Sequence, residues 1–128
     1  MRGMARALYE LEKARVMHRD IKPENIMLRG ATGLNPVLAD FGLAADVDSE
    51  DYLFYRCGTP GYVAPEVISC HKGDRLTPAC DVFSTGLILH ILLVRRPLFE
   101  GRSSEEVFES NRRCKFSLSG PAYERVDP

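Results

Sequence analysis

Met4, Leu8 and Leu11 recur at helical spacing, with Arg6, Glu10, Glu12 and Lys13 elsewhere on the cylinder. That period predicts an amphipathic helix from Met4 to about Lys13. Val16-Met17 follows as a short extended piece. Pro23 lacks an amide donor and turns Lys22 toward extended backbone, so the stretch from His18 to Asn25 is expected as loop. Ile26-Met27-Leu28 and Val37-Leu38-Ala39 read as two short strands, joined by the turn-rich stretch from Gly30 to Pro36. Gly42 to Arg56 has no firm period and reads as irregular. Thr77-Pro78-Ala79 opens the strongest helix, with Thr77 as its cap and proline at the first helical position. From Ala79 to Val94 the pattern is apolar nearly all round, which predicts a helix buried in the core. Ser103 and Glu106 form a capping box for a further helix with Val107 and Phe108 on its apolar side. After Phe116 the pattern fades. The fold class expected is mainly α with short β-hairpins.

Composition narrows the function classes. The 128 residues are enough for one domain with a core, and 45% apolar residues exclude a disordered tail. A net charge of -1 argues against a general nucleic-acid or anionic-membrane binder. Cys57, Cys70, Cys80 and Cys114 show no C-x-x-C pair or zinc spacing, so reduced thiols are expected. The longest apolar stretch, Gly86 to Val94, is much too short to span a bilayer, and the N-terminus has no secretory signal run. A cytoplasmic location, with no nucleic-acid or membrane partner, is the expectation.

Two runs carry chemistry. His18-Arg19-Asp20-Ile21-Lys22-Pro23-Glu24-Asn25 supplies a carboxylate, an amine and a side-chain amide within six positions. Asp40-Phe41-Gly42, fifteen residues after Asn25, supplies a second carboxylate beside a glycine. Phosphoryl transfer from a nucleotide needs a base for the attacking hydroxyl, a cation near the moving phosphate, and oxygen ligands for magnesium. Gly58-Thr59-Pro60-Gly61-Tyr62-Val63-Ala64-Pro65-Glu66 adds a third run, in order. Together these resemble the catalytic loop, the metal loop and the end of the activation segment of eukaryotic protein kinases. The resemblance covers nearly the whole chain. It implies a partial catalytic domain over residues 1–128: most of a kinase C-terminal lobe, with the N-terminal lobe absent. Only seventeen residues precede His18, and they hold no Gly-x-Gly-x-x-Gly run.

The resemblance implies roles residue by residue. Asp20 would be the catalytic base and Lys22 the cation beside the transferred phosphate, a lysine of the serine/threonine type. Asn25 and Asp40 would hold magnesium and, with Lys22, the phosphates of ATP. Met27 would form the floor under adenine, or be a plain core-strand residue. His18 and Phe41 resemble members of the apolar column that aligns the two loops. Asp81 resembles the aspartate that holds the catalytic-loop backbone, a place a helix dipole alone would also favour. Thr59 resembles the threonine that bonds the catalytic aspartate and lysine. Pro60 and Val63 resemble the floor of the pocket for the residue after the acceptor. Glu24 is placed to meet an upstream substrate arginine, or is a solvated loop charge. Glu66 resembles the glutamate that pairs with an arginine later in the family domain, beyond Pro128.

Subclass is read from the activation segment. Arg19 before Asp20 marks the type whose loop can be ordered by a phosphate on a neighbouring residue. Ser49, Tyr52 and Tyr55 are the candidate acceptors, none well placed. Asp46, Asp48, Glu50 and Asp51 bring negative charge, as a solvated acidic loop or a phosphate mimic. The run Cys57 to Glu66 looks most like the calcium/calmodulin-dependent kinase group, so calcium-linked regulation would come from outside this chain. Phe83 stands where the family usually has tryptophan. The leading expectation is a serine/threonine kinase taking ATP, magnesium and a protein substrate, the chain alone having little or no activity. The alternative is a truncated, non-catalytic fragment that acts only as a binding module or has no independent function.

Overall fold

The computed structural model describes residues 1–31, 35–49 and 51–124. Helix α1 spans Arg2–Lys13, two residues longer at its start than the periodicity implies, because the Met1 carbonyl accepts the Ala5 amide. Its end is closed by the Ala14 amide on Glu10 O, and Arg15 turns left-handed at φ 58° to redirect the chain. β1 (Val16–Met17) then pairs antiparallel with β4 (Ala45–Asp46), Met17 opposite Ala45. Arg15 and Asp48 form an ion pair beside this ribbon. β2 (Ile26–Arg29) and β3 (Asn35–Leu38) form a hairpin with Ile26 opposite Leu38 and Met27 opposite Val37. Part of the joining turn, residues 32–34, lies outside the described residues.

The alternation of a two-residue period divides this hairpin between core and surface. Ile26 and Leu38 face a cluster of Met4, Leu8, Ile21 and Ile88, while Met27 is 59% exposed. Met27 is therefore no core-strand residue. A larger cluster holds Met17, Tyr52, Val63, Ala64, Val67, Ile68, Leu76 and Cys80, with Phe83 and Phe108 at its edge. Burying Met17 completely contributes roughly 1.5–3 kcal/mol. Short α2 (Pro65–Ile68) brings Val67 and Ile68 into this cluster. All four cysteines are free thiols.

Helix α3 spans Ala79–Val94, and it departs from expectation twice. The cap position is Pro78, and the Cys80 amide bonds the Thr77 carbonyl, so the Thr77 hydroxyl does not cap. The helix is also buried on one side only. Cys80, Asp81, Ser84, Thr85, Leu87 and Ile88 face inward, whereas Val82 and Leu92 are 58% and 62% exposed. An apolar composition all round does not require neighbours all round. Here α1 and the turn at Tyr62 lie against one flank, and the buried hydroxyls are satisfied: Ser84 donates to Tyr62 O at 2.8 Å and Thr85 to Asp81 O at 2.9 Å. α4 spans Ser104–Arg113, with the Ser103 hydroxyl accepting the Glu106 amide at 3.2 Å. Glu106 reaches back to the Arg102 amide rather than that of Ser103, so the reciprocal bond is displaced by one residue. No described helix is long and apolar enough to cross a membrane.

Candidate active site

Asp81 organises the site from beneath. It is buried at the start of α3, and its two oxygens accept the backbone amides of His18 at 2.7 Å and Arg19 at 2.9 Å. Burial pushes the Asp81 carboxyl above its usual range, and those two N–H bonds pull it back. The bonds also hold Arg19 in left-handed backbone, φ 64°, a conformation that costs a non-glycine residue about 1–2 kcal/mol. The His18 ring connects the two loops. Its Nε2 lies 2.9 Å from Ala39 O, and its Nδ1 lies 3.3 Å from the Asp20 amide. The tautomer protonated on Nε2 satisfies both. Phe41 packs edge-on to His18 at 4.8 Å between ring centroids, leaving its own outer face 48% exposed.

Asp20, Lys22, Thr59 and Asn25 converge at the surface of this platform. Lys22 Nζ lies 3.0 Å from Asp20 Oδ2 and donates to the Thr59 hydroxyl at 2.8 Å. Thr59 in turn donates to Asp20 Oδ1 at 2.6 Å. Asn25 Nδ2 donates to Asp20 O at 2.8 Å and to Oδ2 at 3.1 Å. The amide plane of Asn25 is thereby fixed, and its Oδ1 is left as the free acceptor. The Asn25 carbonyl accepts the Ala39 amide, which sets Asp40 beside Asn25. Asp40 is left-handed at φ 59°, and its Oδ1 accepts the Gly42 amide at 3.1 Å. Among the described residues no three His, Cys, Asp or Glu side chains converge on one point. An all-protein metal cage is therefore absent there. One carboxylate with one amide oxygen fits magnesium, which keeps waters and takes substrate phosphates as its other ligands.

The segment between the loops is held in part by Arg19. Arg19 Nε donates to Leu43 O at 2.8 Å and Nη1 to Phe54 O at 2.7 Å, and its guanidinium lies over the Tyr52 ring at 5.0 Å. Tyr52 is buried, and its hydroxyl accepts the Leu76 amide at 2.9 Å. Tyr55 bonds Asp51, and the Ser49 hydroxyl donates to Asp51 O. Asp46 accepts the Asp48 amide, and Asp48 is paired with Arg15, which holds its carboxyl below the usual range. These acids thus serve local turns and the ribbon, as a solvated loop rather than a mimic facing Arg19. Glu50 lies outside the described residues.

The remaining predicted residues scatter around the cluster. Pro60 is half-buried at the mouth of the Thr59 turn, but Val63 is buried in the core beneath it and presents no surface. Glu24 is exposed in the 3-10 turn Pro23–Asn25, close enough to Tyr62 to add to the burial that raises the Tyr62 hydroxyl. Glu66 is exposed in the first turn of α2, so no buried unpaired charge arises. Two residues escaped the sequence reading. Tyr52 counts by sequence only as a candidate acceptor and is a buried support. Asn111, fully buried, accepts the Gly61 amide at 3.0 Å. Its spacing of four from Val107, on the apolar side of α4, was the available signal.

A family model described as "Protein kinase domain" matches residues 1–125. The chain is 39% identical over 121 residues to "Probable serine/threonine-protein kinase 2" of Plasmodium falciparum (isolate K1 / Thailand), covering 93% of this chain and 23% of that protein. It is 34% identical over 136 residues to "Serine/threonine-protein kinase 33" of Mus musculus, covering 98% of this chain and 27% of the relative. A third relative, "Calcium/calmodulin-dependent protein kinase type II" of Caenorhabditis briggsae, is 37% identical over 114 residues, covering 88% and 21%. The chain thus spans about a quarter of the length of these curated relatives.

Proposed function

Because this chain belongs to the protein kinase domain family, we propose that it carries the hydroxyl-accepting and magnesium-holding part of a serine/threonine kinase active site. The observation that carries this reading is the Lys22–Thr59–Asp20 relay beside Asn25 and Asp40. A substrate hydroxyl entering beside Asp20 donates to the carboxylate and is aimed at the γ-phosphorus. As the new O–P bond forms and the bond to ADP breaks, the hydroxyl proton passes to Asp20. Lys22 offsets the charge on the moving phosphoryl group. Asn25 Oδ1 and the Asp40 carboxylate are the groups that would hold magnesium. The ion, when bound with ATP, supplies charge neutralisation at the phosphate oxygens.

Met27, exposed on the outer face of its hairpin, is the proposed floor under adenine. Pro60, with Val63 supporting it from below, would border the pocket for the residue after the acceptor. Glu24 would meet an upstream basic residue, His18 and Phe41 would align the loops, and Asp81 would hold them. Calcium-linked regulation supplied outside residues 1–128 and a cytoplasmic location complete the proposal. The chain alone is expected to transfer little phosphate, because half a cleft loses most of the positioning this chemistry depends on. A second reading, a non-catalytic fragment that binds a partner, draws on the exposed Met27 and Phe41 side chains. The test is a radiolabelled γ-phosphate assay on this chain alone and joined to the ATP-binding lobe of a relative. Transfer to Ser and Thr peptides by the joined protein, lost in Asp20→Asn, is the result expected. No transfer by the joined protein, with ATP bound, would favour the second reading.

A further inference from the structure

The turn that carries Thr59 is tied down at three points. The Thr59 hydroxyl bonds Asp20, Ser84 donates to Tyr62 O, and between them the Gly61 amide donates to Asn111. The turn itself closes on one carbonyl, Thr59 O, which accepts both the Tyr62 and Val63 amides. Gly61 has φ 87°, a backbone that strains any side chain, and its amide is held from outside the turn by Asn111. Asn111 reaches it from α4, whose Phe108 packs on the main core and whose Val107 lies against Gly61.

Packing does not account for an amide here. Asn111 is fully buried, yet its Nδ2 has no hydrogen-bond partner among the described residues. A buried unpaired donor costs stability that an apolar residue of similar size would not. What the asparagine provides is its Oδ1, aimed at Gly61. We propose that Asn111 is a positioning residue for the protein-substrate side of the site, setting the Gly58–Val63 turn against Asp20 and Lys22. This rests on the kinase reading above. Asn111 acts through the Gly61 amide on Thr59 and Pro60.

Amide hydrogen exchange tests the positioning without any activity. In Asn111→Leu, exchange over residues 58–63 should rise about tenfold or more, while the β2–β3 hairpin keeps its wild-type rate. Asn111→Asp, which keeps an acceptor oxygen, should stay within about threefold of wild type in the turn. Unchanged exchange in the turn, or equal acceleration of turn and hairpin, overturns the proposal. If Asn111→Leu does not fold, Asn111→Ala is read by the same two segments. In the protein joined to an ATP-binding lobe, Asn111→Leu should raise the peptide KM about tenfold with the ATP KM unchanged. A fall in kcat with both KM values unchanged also overturns it. A wild type that transfers no phosphate sinks the kinase reading alone, and the exchange result still judges Asn111.

Discussion

Removing the Asp81 carboxylate should loosen both chemical loops at once. Asp81→Ala deletes two buried bonds, 2.7 Å to the His18 amide and 2.9 Å to that of Arg19. Hydrogen bonds to a charged group are worth about 1.5–3 kcal/mol each, so the gross loss is about 3–6 kcal/mol. Relief of the carboxylate's desolvation, which burial has made costly, offsets part of that. A net loss of about 2–4 kcal/mol is expected, a large fraction of the roughly 5–15 kcal/mol of a typical domain. Asp81→Asn keeps one acceptor oxygen, sheds the charge, and should cost about 1–2 kcal/mol. Urea unfolding followed by far-UV circular dichroism measures both. The pH dependence has a definite sign. The folded carboxyl titrates above its unfolded value, so its contribution is fully present below the unfolded value and is lost as pH rises through the folded one. The stability gap between wild type and Asp81→Asn should therefore narrow as pH rises from acid through and above the usual carboxyl range. An Asp81→Ala variant within about 0.5 kcal/mol of wild type would refute the reasoning, since that is the scatter of ordinary surface substitutions.

Three further outcomes are expected. Tyr52→Phe keeps the ring under Arg19 but strands the buried Leu76 amide, and should cost about 1–3 kcal/mol by urea unfolding; no change would show that water replaces the hydroxyl. Titration with an aromatic disulfide reagent should find Cys57 and Cys114 first, with Cys70 and Cys80 protected until unfolding, because Cys70 and Cys80 are buried and the other two are partly exposed. Exposed Val82, Leu92 and Leu93 on α3, with Phe116 and Leu118, should make the 128-residue chain self-associate; a monodisperse monomer in light scattering, with a concentration-independent melt, would contradict this.

Local signals in the sequence located most of the elements. The period of Met4, Leu8 and Leu11 gave α1, the Ser103 cap gave α4, and the apolar triplets around the Gly30 turn gave the β2–β3 hairpin. What stayed hidden depends on contacts between distant residues. The β1–β4 ribbon pairs Val16 with Asp46, and two-residue strands carry no period to read. The one-sided burial of α3 is invisible to composition, because apolar residues cover every face of that helix. The Arg19 guanidinium meets Leu43 O, Phe54 O and the Tyr52 ring, all distant in the chain. The Lys22–Thr59–Asp20 relay was legible only through the family resemblance of its motifs, since no local pattern joins Lys22 to Thr59 across 37 residues. Asn111 was overlooked because a single polar residue in a charged helix reads as solvated.

The most direct test of the account separates the two carboxylates. Wild type, Asp20→Asn and Asp40→Asn, each joined to an ATP-binding lobe, are compared for magnesium-dependent ATP binding by calorimetry and for phosphate transfer to a serine peptide. Asp20→Asn should bind ATP within about twofold of wild type while transfer falls about a hundredfold or more. Asp40→Asn should lose both transfer and the magnesium-dependent part of binding. Equal loss of ATP binding in the two variants, or transfer by Asp20→Asn at the wild-type rate, would contradict the assignment of the acceptor hydroxyl to Asp20 and of the metal to Asp40.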